Sequence, residues 1–301
     1  MPKETVLDAD CPVCGSGSVK LRATFSTSGV SVLQCGQCSH TFARPLPSSD
    51  SPSANAMATE SSLEFTLGLI GQSQDVKDRQ ALLAQNRSDY YLGQLGGGRK
   101  SFRILEVGCG SGGLGAGFSS LGVDYLGIDI DHRVVEEGQR NGVNIQLIDL
   151  MDLSLDEKFD VIFFTQVLEH IVLPHDFLAK VRRHLSTPGL IHLDVPSHGT
   201  LAGWPSIAAG GFRHRQRFGA IDYPHHCMAY SKQSLSRALA QVPSLSSEIF
   251  TKACDDRIWG QAIGTPSLRV KAFYRASEVL RSESLLVAIG KTTGEAAEFA
   301  S

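Results

Sequence analysis

The apolar positions of this chain fall into three regimes. Between residues 20 and 34, KLRATFSTSGVSVLQ carries short apolar runs broken by serine and glycine, which read as two short strands. Residues 45–62, PLPSSDSPSANAMATESS, hold hardly a large apolar side chain and read as a linker. Over 63–95 apolar residues return at helical spacing, through Leu63, Leu67, Ile70, Leu82, Leu83, Tyr91, Leu92 and Leu95, and Gly96, Gly97 and Gly98 end the stretch. One or two helices are expected there.

From residue 102 onward strand and helix patterns alternate. Strands are predicted over 102–107, 124–128, 144–148, 159–164, 189–195 and 285–289, and helices over 112–121, 132–141, 174–185 and 231–241, with Pro188 and Gly189 stopping the third helix. This order predicts an α/β fold with a doubly wound sheet. The expected organisation is a small module over 1–45, a linker and helical cap over 46–100, and a main domain over 101–301 with a long substrate loop at 196–224.

Charge removes one class of function. Acids outnumber Lys and Arg by 31 to 28, which leaves no broad positive field for a phosphate backbone, so nucleic acid is not an expected partner. No apolar run approaches the length of a membrane span, and the N-terminus carries acids where a signal peptide would be apolar. A soluble cytoplasmic protein is expected.

Four of the seven cysteines form one pattern, Cys11-x2-Cys14, a gap of twenty, then Cys35-x2-Cys38. Two such knuckles aim four thiolates at one tetrahedral ion, so zinc is expected, and a site filled by four sulfurs leaves no open position for catalysis. Gly15 and Gly36 fit the knuckle turns, and His40 is expected on the surface. Cys109, Cys227 and Cys254 lie apart.

The sharpest motif is the turn after the first strand of the main domain, Glu106-Val-Gly108-Cys-Gly110-Ser-Gly112-Gly113. Gly108, Gly110 and Gly113 fit the fingerprint of dinucleotide binding. Glu106, Gly108, Gly110 and Gly112 fit that of S-adenosylmethionine binding. A pyrophosphate on this turn would be repelled by the Glu106 carboxylate, whereas the cationic methyl donor would be attracted, so Glu106 favours the donor. Asp129 closes the next strand, where a carboxylate can accept from ribose hydroxyls, and Asp131 is the better helix cap. Asp149 and Leu150 could hold the adenine amine and face, though Asp149 could equally be an exposed turn residue. Gln166 and Val167 would lie under the donor, and Glu169 and His170 begin the loop beyond.

Taken in order, ILEVGCGSGGLG, LGIDID, FDVIFFTQVLEHIVLPHDFLAKVRRHL, PGLIHLDVP and HCMAYSKQSLSRAL resemble the class I S-adenosylmethionine-dependent methyltransferases. CPVCG and CGQCSHTFARP ahead of them resemble the branch with an N-terminal four-cysteine zinc module, which includes deoxysugar C-methyltransferases of natural-product pathways. The resemblance implies a Rossmann-like methyltransferase sheet and a donor site at Glu106, Gly108, Gly110, Gly112, Asp129, Asp149 and Gln166.

Methyl transfer needs a base for the acceptor's proton, and histidine suits that task near neutral pH. In the sugar branch a tyrosine, a spacer, a carboxylate and a histidine precede the penultimate helix, and Tyr223-Pro224-His225-His226 stands in that place. The resemblance thus points to His226 as the base, with His225 where the sugar enzymes tend to carry an acid. His225 and His226 could instead pack the loop or cap the helix near Ser231, and His170 could orient the loop as readily as act in catalysis. Trp204 could stack on a ring, and Arg213, Arg215 and Arg217 could clamp an anionic acceptor such as a nucleotide-linked sugar, or form a solvated face. Tyr90, Tyr91 and Phe65 could close the far side or belong to the core. A zinc-bearing ribosomal RNA methyltransferase, an NAD-dependent oxidoreductase and a non-catalytic zinc-module protein are the rival readings.

Overall fold

A computed structural model of the chain describes residues 9–26, 28–46, 74–154, 156–197, 217–252 and 285–292. The linker beyond residue 46, the helical positions Leu63, Leu67 and Ile70, and Phe65, Trp204, Arg213, Arg215 and Cys254 lie outside the described residues.

The N-terminal segment builds three strands where two are expected: β1 (Val19–Thr24), β2 (Ser31–Cys35) and β3 (Thr41–Arg44). They pair antiparallel in sequence order. The helical stretch becomes α1 (Gln74–Leu95), whose buried positions Leu83, Ala84, Arg87, Ser88, Tyr91 and Leu95 recur every three to four residues and define one face. Leu82 points to solvent instead.

The main domain follows the expected alternation: β4 (Arg103–Val107), α2 (Gly113–Ser120), β5 (Asp124–Asp129), α3 (His132–Arg140), β6 (Ile145–Leu147), β7 (Phe159–Thr165), α4 (Pro174–His184) and β8 (Leu185–Pro196). Three short strands come next, β9 (Arg217–Phe218), β10 (Ile221–Asp222) and β11 (Met228–Ala229), followed by α5 (Lys232–Leu239), β12 (Leu245–Lys252) and β13 (Leu285–Thr292). Ser231 caps α5 by accepting from the Ser234 amide, so neither His225 nor His226 is the cap.

Seven strands form one sheet in the order β12-β13-β8-β7-β4-β5-β6. From β8 to β6 every pairing is parallel, while β13 lies antiparallel to both of its neighbours. The order reverses between β4 and β7, which opens a crevice at their carboxyl ends. The sheet's central strands are buried on both faces, as their near-continuous apolar runs require.

Three expectations are corrected. Pro188 and Gly189 do not separate a helix from a strand: α4 ends at His184, and β8 already begins at Leu185. Phe159 pairs with Leu185 and Val161 with Leu190, so Pro188 and Gly189 sit in a bulge, where a residue without an amide proton costs no ladder bond. His40 is not a surface residue. It is fully buried, with Nε2 3.3 Å from Met228 Sδ and its ring 4.7 Å from that of Tyr230, because β11 covers it. Finally, β12 has no counterpart among the expected strands, since LSSEIFTK is a half-exposed edge strand with few large apolar residues.

The helical cap meets the sheet domain through small residues. A Cβ at Gly117 of α2 would lie 2.7 Å from Ala84 Cβ and 3.3 Å from the α1 backbone. We expect Gly117→Val to destabilise the protein by about 1–3 kcal/mol in urea unfolding, the usual cost of overpacking. An unchanged midpoint would show that α1 does not rest on α2 there.

Candidate active site

The glycine turn leaves β4 with Gly108, Gly110 and Gly112 all at positive φ, between 55° and 73°, which is the left-handed region that other residues avoid. Gly108 also permits a close approach, since a Cβ there would lie 2.6 Å from Val167 Cγ2 at the end of β7. Asp129, at the end of β5, organises the turn. Its Oδ2 accepts from the Gly110 amide at 2.8 Å and its Oδ1 from the Asp131 amide at 3.0 Å. Asp131 takes the capping role, accepting from the Arg133 amide as the N-cap of α3. Asp149, at the end of β6, is exposed and accepts from the Met151 amide, while Leu150 beside it is buried.

Glu106 is 6% exposed and lies beneath the turn, where the Tyr125 hydroxyl donates to its Oε2 at 2.6 Å. Burial pushes its carboxyl up to about 8, against the opposing pull of the Tyr125 hydrogen bond and the Arg87 guanidinium. Burial likewise raises Asp129, and pushes Asp194 up to about 6. Arg87 is the feature that sequence reasoning missed. It is 1% exposed on α1, its guanidinium stands 5.3 Å from the centre of the Phe163 ring, and its charge reaches Glu106 and Asp194. An arginine on the same helical stripe as Ala84 and Tyr91 was the available signal. Tyr91 itself is core, hydrogen-bonded to His192 Nδ1.

Gln166 follows β7 in the left-handed region, with φ 55°. Its amide and its side-chain Nε2 both bind Asp194, to the carbonyl at 3.1 Å and to Oδ1 at 2.8 Å, which holds this unfavourable backbone in place. The chain then makes a 3-10 turn, Leu168–His170. Glu169 in that turn is 1% exposed, and neither of its carboxylate oxygens finds a hydrogen-bond partner among the described residues.

The second candidate segment meets this turn from the other side. Asp222 and His226 exchange both backbone hydrogen bonds, at 3.1 and 2.9 Å, so Tyr223, Pro224 and His225 form the loop between them. His170 Nδ1 donates to the His225 carbonyl at 2.6 Å, and the His170 and His226 rings meet edge to face with centres 4.8 Å apart. His226 Nδ1 donates to the Ala220 carbonyl at 3.2 Å. Burial, then the neighbouring His226, lowers His170 to about 4, so His170 is neutral at physiological pH. Tyr223 packs on the core cluster with half-buried side chain. Thus Glu106, the glycines, Asp129 and Gln166 gather at one end of the crevice, while His170, His226 and Glu169 gather beyond Val167. Asp149 and Leu150 flank the end of β6.

At the N-terminus one ligating atom of each of Cys11, Cys14, Cys35 and Cys38 lies within 4.8 Å of the others. Two sulfur pairs, Cys11 with Cys38 and Cys14 with Cys35, stand 3.6 Å apart. That is far beyond a disulfide and close to the edge, ~3.8 Å, of a tetrahedron with Zn–S arms of ~2.3 Å. Among the described residues no helix is long and apolar enough to cross a membrane.

The raised Glu106 has a consequence for stability. A carboxyl that rises from 4.5 unfolded to about 8 folded stabilises the native state fully below pH 4.5 and loses that contribution as pH rises through 8. We therefore expect the ligand-free protein to melt at progressively lower temperature as pH rises from 5 to 8.5. Glu106→Gln should flatten that slope, and an identical slope in both proteins would exclude Glu106 as its source.

Residues 76–242, more than half of the chain, match a family model described as a methyltransferase domain. Among curated proteins, a ubiquinone biosynthesis O-methyltransferase of Pasteurella multocida is 26% identical over 137 residues, covering 40% of this chain and 56% of that protein. The corresponding protein of Roseobacter denitrificans is 33% identical over 98 residues, covering 30% of this chain and 40% of its own length. The chain therefore spans about half the length of these relatives. Among solved structures, the plantazolicin methyltransferase BpumL, in complex with a monoazolic desmethyl analogue and S-adenosylhomocysteine, superposes with a TM-score of 0.55 at 16% identity, covering 80% of this chain and 93% of that one. The magnesium protoporphyrin IX methyltransferase of Synechocystis PCC 6803, with bound S-adenosylhomocysteine, gives a TM-score of 0.50 at 15% identity, covering 80% of this chain and 98% of that one. The shared sheet, the glycine turn at its switch point and the match across that whole region leave one assignment: the chain belongs to the methyltransferase-domain family.

Proposed function

We propose that the chain transfers a methyl group from S-adenosylmethionine to a small molecule, of the nucleotide-linked sugar or natural-product type, and that its four-cysteine site holds a structural zinc. The observation that carries the first part is the electrostatic character of the crevice. Glu106 and Asp129 act on each other at the glycine turn, and Asp194 holds Gln166 after the neighbouring strand, an environment that favours a cationic ligand over a diphosphate. The solved relatives that carry S-adenosylhomocysteine have the same fold.

When bound, the donor supplies an electrophilic methyl group on a positively charged sulfur. The chain's own residues do the rest. Gly108, Gly110 and Gly112 let the backbone run close beneath the ligand, and the lone pairs of Asp129 not used by the loop amides are open to ribose hydroxyls. Asp149 and Leu150 stand where the adenine amine and ring would lie. Gln166, fixed by Asp194, sets the floor between the donor and the histidines. His226, turned by its bond to Ala220, offers Nε2 as the atom that receives the acceptor's proton, and His170 and His225 hold it in place. Tyr223 borders the same loop.

The test is labelled-methyl transfer from S-adenosylmethionine to a panel of nucleotide sugars and pathway intermediates. His226→Ala should lower turnover by ~10²–10⁴-fold, the range for loss of a general base, while S-adenosylhomocysteine binding by calorimetry stays within about twofold. Full turnover in that variant would remove His226 from the mechanism, and reduction of a nicotinamide cofactor without S-adenosylhomocysteine binding would overturn methyl transfer itself. For the cysteine site we expect one zinc per chain in metal analysis. Cys35→Ser should lose it together with the folding of the N-terminal module. A metal-free but folded module would refute the structural zinc.

A further inference from the structure

We propose that Glu169, His170 and His226 form a binding site for a divalent first-row transition ion at the acceptor end of the crevice. One ligating atom from each of the three lies within 4.8 Å of the other two. Metal arms of ~2.1 Å place neighbouring ligands ~3–3.5 Å apart, so small side-chain rotations close the set around an ion. The residues come from two separate segments, the turn after β7 and the strand pair that ends at β11.

Tautomer geometry is the first support. A carbonyl oxygen can only accept, so the contacts of His170 Nδ1 with the His225 carbonyl and of His226 Nδ1 with the Ala220 carbonyl make both Nδ1 atoms donors. Each ring thereby presents Nε2 as its electron-pair donor, and a carbonyl behind the opposite nitrogen is the arrangement that orients metal-ligating histidines. Glu169 is the second, independent support. A carboxylate that is 1% exposed with two oxygens lacking partners among the described residues is costly, and a cation between it and the two imidazoles would supply the missing interaction. Two imidazoles and one carboxylate on one side of an ion leave its other positions open, a set suited to borderline divalent ions.

The proposal deepens the methyl-transfer reading, on which its chemical consequence rests. With the ion present the His226 electron pair is held by the metal, so His226 serves there as a ligand in place of the proton acceptor, and the methyl acceptor is an oxygen nucleophile bound at an open position. There the ion lowers the pKa of the hydroxyl, whose proton passes to water. The oxygen lone pair then forms the new bond to the methyl carbon, and the methyl–sulfur bond pair stays with sulfur. Tests of the site itself do not need turnover.

Manganese(II) is the probe, because it prefers nitrogen and oxygen ligands and leaves thiolates to zinc. The full chain, first dialysed against a weak chelator and retaining one zinc, would be titrated with Mn²⁺ alone and followed by electron paramagnetic resonance. We expect one Mn²⁺ per chain with nitrogen coupling from directly bound imidazole. Glu169→Gln should weaken binding by at least ~10-fold, a cost that even supporting groups around metals show, and His226→Ala should remove part of the nitrogen coupling. Unchanged S-adenosylhomocysteine binding in both variants would confirm that they fold. Absence of nitrogen-coupled Mn²⁺ in the wild type, or equal affinity in Glu169→Gln, would overturn the site. If no Mn²⁺ binds yet His226→Ala loses turnover, the ion falls and the base survives. If Mn²⁺ binds as expected but S-adenosylhomocysteine does not, the site stands and methyl transfer falls.

Discussion

The pairing of β3 with β11 is the contact on which the position of His226 depends. Met228 lies opposite Phe42 and Ala229 opposite Thr41, and the Ala43 amide donates to the Cys227 carbonyl at 2.9 Å. Two residues after His226, the chain thus becomes the fourth strand of the cysteine module's sheet. Side chains extend the joint: the Ser231 hydroxyl donates to the Cys38 carbonyl, Gln233 to the Gln37 carbonyl and Gln241 to the Val13 carbonyl. Each such bond contributes only about 0.5–1.5 kcal/mol net, but they surround an apolar seam of Val13, Phe42, Met228, Tyr230 and Leu235 in one continuous core. The cysteine module is therefore a wall of the catalytic domain and not a bead on its N-terminus.

The glycine-turn end is held by a different kind of force. Glu106, Asp194, Arg87, His192, Tyr91 and Tyr125 are all nearly or fully buried below the crevice. In a medium of low polarity each charge is costly alone and each pairing counts for more than it would in water. Burial pushes Glu106 and Asp194 toward their neutral forms, and Arg87, Tyr125 and Gln166 pull them back. A site balanced in this way responds strongly to one added positive charge, because a cation in the crevice favours ionisation of the carboxyls that burial opposes. The same balance gives a diphosphate nothing to gain.

Much of the glycine-turn end was legible in the sequence because its information is local. The left-handed glycines, Asp129 closing a strand and Asp131 capping the next helix lie within 24 consecutive residues, and strand-to-helix alternation places them at a sheet edge by itself. The fourfold cysteine pattern is similarly self-contained. What escaped detection depends on distant partners. His40 reads as a surface residue until β11 covers it, and the helical stripe that would bury Arg87 does not name Phe163 or Glu106 as what lies beneath it. β12 is recognisable only through its pairing with β13, and the early start of β8 only through the bulge against β7. Hydrophobic period and turn chemistry carry no record of such tertiary choices.

The two ends consequently differ in what holds them. Glu106, Gly108 to Gly112, Asp129 and Gln166 are borne by adjacent parallel strands and stay together as long as the sheet persists. The histidine end joins His170, on a turn after β7, to His226, which is 56 positions later and is anchored through β11 to β3. No strand of the seven-stranded sheet carries His226 directly. Its distance from His170 is set by the His225 carbonyl contact, the Asp222 bridge and the pairing with the cysteine module. The four cysteine sulfurs lie within 4.8 Å of one another, so whatever fixes them also bears, through the pairing of β3 with β11, on the position of the imidazole. The glycine turn does not share this dependence, because its residues hang on the parallel strands alone, so the sulfur cluster bears on the place of His226 and not on that of Asp129 or Gly110.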